Sequence, residues 1–180
     1  MDQSLTRLNE DKRRYGCSLP SLKDWFVNNE SWYLYQLIRH VRLQEYHKTK
    51  GGWHKLAYWY HWYRYKKLSF NLHITLYPNT IDGGLRIYHS GSFIHIGPNC
   101  RIGKNCTLLP GVVFGNKQEE ETDGLTIVGD NCYFGLNAKI FGPLTIGNNV
   151  TVGANAVVTK DIPDNAIVVG IPAKILRFKC

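Results

Sequence analysis

A six-residue period narrows what this chain can fold into more than any other feature. Steps of six from Ile96 meet Ile102, Leu108 and Phe114, and steps of six from Val128 meet Phe134, Ile140, Ile146, Val152 and Val158. All ten positions are apolar in a chain that is 43% apolar. Chance in a fixed frame would produce that about twice in ten thousand trials. The following residue is Gly in seven of the ten units: Gly97, Gly103, Gly115, Gly129, Gly135, Gly147 and Gly153. The fifth position is small or aliphatic, as at Cys100, Cys106, Val112, Cys132, Ala138, Leu144, Val150, Ala156 and Ile162. Polar pairs such as Lys104-Asn105 and Asn148-Asn149 lie between.

Six residues suffice for one short strand and a turn, and for nothing larger. With the first and fifth positions turned inward, three units close one triangular coil. Successive coils then stack at the strand spacing of about 4.8 Å. Gly and Asn at the corners are expected to take the unusual backbone angles. The expected fold is mainly β, a parallel β-helix whose end coils need caps. A β-sandwich would not hold one register over ten units. The register slips once, because Phe114 to Val128 spans 14 residues, two more than a multiple of six. The polar stretch inside that interval predicts a protruding loop over 116–126, where a rigid repeat usually carries function.

The texture changes near residue 70. Residues 71–180 form the expected β-helix with a C-terminal cap, and residues 1–70 a helical, basic, aromatic-rich region. Ser21 with Asp24 reads as a capping box ahead of Trp25-Phe26. Ser31 is a second cap candidate, followed by Leu34, Leu37, Ile38 and Val41 at helical spacing. Gly51-Gly52 ends that helix, and 53–68 is unusually aromatic. His40, His47, His54 and His61 recur every seven residues. Gly51-Gly52 interrupts any continuous helix through them and no carboxylate or Cys completes a ligand set, so no metal is expected.

The formal net charge is +8, concentrated in residues 1–70. That excess suits an anionic membrane surface or an acidic saccharide. Nucleic acid is not expected, since no recognition motif accompanies the charge. Five cysteines without a CxxC pair indicate neither a disulfide framework nor a zinc site. The polar N-terminus does not resemble a signal peptide, and no apolar run spans a bilayer. A cytoplasmic protein is expected, with a peripheral membrane contact through 53–68 as a further expectation.

The runs 85–116, VGDNCYFGLNAKI (128–140) and VGANAVVTKDIPDNAIVVGIPAKIL (152–176) resemble the hexapeptide acyltransferases. Within them the chain is most similar to serine O-acetyltransferases and to the O-acetyltransferases of bacterial surface polysaccharides. The resemblance implies a left-handed β-helix, a homotrimer or dimer of trimers, and transfer of acetyl from acetyl-CoA to a hydroxyl. It gives His89 the role of general base, since an imidazole with a pKa of about 6.5 can take a hydroxyl proton during direct attack. His95 is the runner-up. Gly115 and Asn116 match positions beside the thioester, and Gly135 and Ala154 leave room for the pantetheine arm. Thr159 and Lys160 match contacts near the nucleotide, with Lys174 and Arg177 as phosphate partners. Tyr88, Asp123 and Leu125 line the acceptor side.

Two departures from the serine pattern stand out. Tyr88 replaces the carboxylate before the catalytic His, which leaves open what orients the ring. Asp123-Gly124-Leu125-Thr126 stands where the family has Asp-Arg-His-Pro. The missing Arg and His make a sugar hydroxyl in polysaccharide biosynthesis the leading expectation for the acceptor. Serine, the first step toward cysteine, is the alternative, and a non-catalytic β-helix scaffold is the alternative of another class.

Overall fold

A computed structural model describes residues 2–15, 21–117 and 124–179. Among the described residues, four helices precede the strands: α1 (Gln3–Tyr15), α2 (Leu22–Phe26), α3 (Glu30–Lys48) and α4 (His54–Leu72). The strands that follow form three sheets. The first contains β1 (Ile74–Leu76), β3 (Ile94–Ile96), β6 (Val113–Asn116), β9 (Lys139–Gly142) and β12 (Val157–Val158). The second contains β4 (Cys100–Ile102), β7 (Thr126–Val128) and β10 (Leu144–Ile146). The third contains β2 (Arg86–Ile87), β5 (Thr107–Leu108), β8 (Tyr133–Phe134), β11 (Thr151–Val152), β13 (Ala166–Val169) and β14 (Lys174–Phe178). Pairing is parallel everywhere except between β13 and β14, where the chain reverses and closes the coil. This is the expected β-helix, and its coil is left-handed.

The period explains the packing. Every first-position residue from Ile96 to Val158 is buried, and so is every fifth-position residue from Cys100 to Ile162. The corner angles are not distributed as expected. Asn105, Asn131, Asn137, Asn149 and Asn155 take left-handed φ values, whereas none of the seven repeat glycines does. Five of those glycines, Gly103, Gly129, Gly135, Gly147 and Gly153, answer a different demand, which is space. A Cβ on Gly129 would stand 2.8 Å from the carbonyl carbon of Gly147 in the next coil. Coils at strand spacing leave no room there for a methyl group.

The helices cover the edge of the first coil. Arg42 is buried and donates to the carbonyls of Ile81 and Asp82 at 2.7 and 2.8 Å. It also pairs with Asp11 at 2.8 Å. Asp11 accepts from the backbone N–H of Leu85, and Glu45 from that of Asn79. The Tyr65 hydroxyl both donates to the carbonyl of Leu76 and accepts from its N–H. Side chains thus satisfy backbone groups that an open sheet edge would leave exposed. The buried residues of helices and coils form one continuous cluster.

Two sequence expectations need correction here. Helix α3 is capped by Asn29, whose side chain accepts from the N–H of Ser31, so Ser31 lies inside the helix. The interruption at Gly51-Gly52 does not separate the four histidines. It forms the turn of an α3–α4 hairpin, which folds them against one another. His40 and His61 approach at 2.8 Å between Nδ1 atoms, His47 and His54 at 2.7 Å, and the rings of His47 and His61 stack. Their spacing is therefore that of a packing seam. No cluster of three or more potential metal ligands occurs among the described residues. No described helix is long and apolar enough to cross a membrane.

Candidate functional site

His89 follows β2, where the third sheet turns toward the first. Its side chain is 68% exposed, open to a substrate, yet it is tethered. Nδ1 lies 3.1 Å from Oε2 of Glu30, the first residue of α3. The other carboxylate oxygen accepts from the Ser90 hydroxyl at 2.7 Å and from the Ser90 backbone N–H. Burial pulls the Glu30 carboxyl upward, but the hydrogen bonds from Ser90 and His89 outweigh it and hold the group below its ordinary value. The positive end of the α3 dipole adds to the preference for an ionised carboxylate. An ionised carboxylate can only accept, so Nδ1 must carry the proton, and Nε2 is left as the bare, basic nitrogen.

Sequence reasoning named His89 but missed Glu30. An acidic residue at a helix start looks like ordinary dipole compensation, and the pair is separated by 59 residues. The only signal was negative: Tyr88 occupies the place of the usual carboxylate. Tyr88 is partly exposed and lies against the Arg86 guanidinium, 4.4 Å from its ring centroid. His95 is half-buried and stacked on Phe93, with Tyr77 edge-on. Burial lowers its pKa, and its surroundings are those of a packed residue.

The expected cofactor residues follow the coil. Ile87, Leu108, Phe134 and Val152 are in register across β2, β5, β8 and β11. His89 and Ala154, each two residues further, therefore sit on one corner. They are three strand spacings of about 4.8 Å apart. Gly135 lies on the same corner, where it also serves the stacking of the coils. Its N–H donates to the carbonyl of Val152 at 2.8 Å, and a Cβ there would come within 2.7 Å of the Ala154 nitrogen. Coil stacking explains this glycine. Gly115 and Asn116 end β6 and pair with Phe141 and Gly142. Thr159 and Lys160 follow β12, with Lys160 exposed. Lys174 and Arg177 are exposed on β14.

On the acceptor side, Asp123 lies outside the described residues. Gly124 is close to Pro143, and Leu125 is exposed. A cavity of about 420 Å³ opens beside α4, lined by Tyr33, Arg64, Lys67, Leu68, Asn71 and Leu72. Tyr33 stands one turn beyond Glu30 on α3, and neither Arg64 nor Lys67 forms an ion pair among the described residues.

Residues 94–117 and 125–160 match the family model described as the hexapeptide repeat of succinyl-transferase. The chain is similar to a serine acetyltransferase of Bacillus pumilus, with 32% identity over 103 residues, 57% of this chain and 48% of the relative. A serine acetyltransferase of Staphylococcus xylosus is 36% identical over 104 residues, 58% of this chain and 48% of the relative. The chain spans about half the length of these relatives. Among solved structures, serine acetyltransferase of Neisseria gonorrhoeae superposes with a TM-score of 0.74 at 24% identity, over 99% of this chain and 66% of that one. That of Brucella abortus strain S19 gives 0.75 at 20% identity, over 98% and 70%. At such identities these structures establish the fold, which here includes the helices as well as the coil.

Proposed function

We propose that this chain, a left-handed β-helix built on a six-residue repeat, is an acetyl-CoA-dependent O-acetyltransferase. The observation that supports this most is the Glu30 carboxylate on Nδ1 of His89. It leaves Nε2 facing outward as an acceptor of protons. Nε2 takes the proton of the acceptor hydroxyl as that oxygen adds to the acyl carbon. The imidazolium, held by Glu30, returns the proton to the departing sulfur as the C–S bond breaks. No covalent acyl-enzyme is needed. The buried cysteines are poor alternatives: burial pushes the Cys100 thiol up to about 11, a hydrogen bond with Cys132 together with burial raises Cys106, and Cys132, which its hydrogen bond with Cys106 lowers, is enclosed in the coil away from any substrate.

The corner from His89 to Ala154 offers the thioester arm an extended path. Half-buried Thr159 and the exposed cations Lys160, Lys174 and Arg177 stand beyond it for the nucleotide and its phosphates. Completion of this groove by a neighbouring copy in a homotrimer belongs to the proposal. Sedimentation tests it, and a stable monomer at micromolar concentration overturns it.

For the acceptor, the names of the relatives favour serine. None of the comparisons supports the saccharide that the sequence put first. The cations absent at 124 and 125 have a candidate replacement in Arg64 and Lys67, which line the cavity one turn from Glu30 and can meet a carboxylate. A sugar hydroxyl is the second reading, because exposed Leu125 and Tyr88 suit a ring better than an amino acid. Values of kcat/KM for serine and for simple and lipid-linked sugars, with one enzyme preparation, decide between them. Arg64→Ala should raise KM for serine and leave kcat nearly unchanged. An unchanged KM with efficient serine turnover would place the carboxylate elsewhere. No transfer to any acceptor, with no CoA binding by calorimetry, would leave a scaffold.

A further inference from the structure

Helix α4 carries an outer face of which the chemistry above uses only Lys67. Tyr65 and Leu68 are buried on its inner side, against the start of the coil. On the outer side, Trp53, Leu56, Trp59, Tyr60, Tyr63 and Phe70 are all more than half exposed, Phe70 reaching 82%. Their spacing, with steps of three and four from Trp53 through Leu56, Tyr60 and Tyr63 to Lys67 and Phe70, puts them along one stripe of the helix, with Trp59 beside it. A solvated helix face does not ordinarily expose this much aromatic surface in one stripe.

The charge around the stripe has one sign. Lys55 and Lys66 flank it and Lys67 lies within it, all exposed. No Asp or Glu occurs between Glu45 and Asp82, an interval that contains Lys48, Lys50, Lys55, Arg64, Lys66 and Lys67. A second copy docked face to face would bring like charges together with no acid from this interval to answer them. Trp and Tyr have an apolar body and a polar edge, which suits the headgroup level of a bilayer, and Lys reaches past them to anionic headgroups. We propose that the outer face of α4 is a peripheral docking surface for an anionic lipid bilayer.

The test uses the full chain and vesicles of phosphatidylglycerol and phosphatidylcholine in equal parts, beside vesicles of phosphatidylcholine alone. The protein should co-sediment with the mixed vesicles, less so as salt rises, with its tryptophan emission shifted to shorter wavelength. The triple variant Trp59→Ser/Tyr63→Ser/Phe70→Ser should lose about tenfold or more in partitioning. Lys55→Glu/Lys66→Glu should lose a similar factor on mixed vesicles only. None of these five residues belongs to the proposed acetyl-transfer site. Native protein that ignores mixed vesicles at low salt, or a triple variant that binds them as well as native, overturns the proposal. So does a triple variant whose sedimentation coefficient falls in the absence of vesicles, which would assign the face to a second copy. The native emission shift needs no variant, so a folding failure in one does not mask the result.

Discussion

Oε2 of Glu30 lies 3.1 Å from Nδ1 of His89, joining the first residue of α3 to the first coil of the β-helix across 59 residues of chain. The carboxylate that holds His89, the proposed base, therefore comes from the helical region, and Tyr88, its neighbour in sequence, does not have to supply it.

Replacing either member should separate chemistry from binding. His89→Ala is expected to keep CoA affinity and lower turnover by about 10²–10⁴, the usual worth of a general base. Glu30→Gln should lower turnover by roughly 10–100-fold, as loss of a group that orients a functional histidine does. Steady-state kinetics with calorimetric CoA titration checks both. Full activity in the Glu30 variant would make the contact structural only. Because the Glu30 carboxyl sits below its ordinary value of 4.5, it stays ionised at neutral and weakly acid pH. Its hold on His89 should weaken only as pH falls below that value.

The histidine seam predicts acid sensitivity of the helical hairpin. Burial, with the neighbouring His61 and the cations Arg64 and Arg39, lowers His40 to about 3. Burial, with His47 and Arg39, lowers His61 to about 4. Both are neutral in the fold but bind protons in the unfolded chain from its ordinary value of 6.5 downward. Stability contributed by the neutral pair is therefore complete above about pH 6.5 and lost as pH falls toward 4. The melting temperature should drop on the order of several degrees from pH 7 to pH 5. In His61→Gln the drop should be smaller; an equal drop would put the titration elsewhere.

Arg42→Ala should be among the most damaging single substitutions. Arg42 and Asp11 are both almost wholly buried, with side chains 2% and 0% exposed. Removing the guanidinium strands a buried carboxylate and leaves two carbonyls of the first coil without their donor. A loss of about 3–5 kcal/mol is expected from denaturant unfolding. A loss under about 1 kcal/mol would mean that the coil does not need this cap.

Gly135→Ala distinguishes stacking from ligand contact. The new methyl would stand 2.7 Å from the Ala154 nitrogen, so the coils must separate locally, at about 1–3 kcal/mol. The signature is a lower melting temperature with CoA affinity retained in the folded fraction. Unchanged stability with lost CoA binding would return Gly135 to the cofactor groove. Cys132→Ala, at another inward position, should cost stability modestly and leave turnover intact, and lost activity would point to a thiol mechanism.

The fold could be read from the sequence because a repeat solves one local problem many times. Each six-residue unit meets the same neighbours, so the apolar first position and the small fifth position declare their burial without knowledge of the rest of the chain. His89 was named on different grounds, since only the resemblance to the acyltransferases singled it out and the six-residue period begins after it. Helix α1 was not. Gln3–Tyr15 is polar and without an apolar stripe, and it docks through Asp11, Arg7 and Tyr15 on partners 31 to 75 residues away. The seven-residue histidine spacing was visible, but its meaning depended on how the chain turns at Gly51-Gly52. Tertiary docking of the α3–α4 hairpin decided the rest: the carboxylate behind His89, the histidine seam and the cap of buried charges on the first coil. Such pairings depend on where whole elements land, and residue spacing carries no record of that.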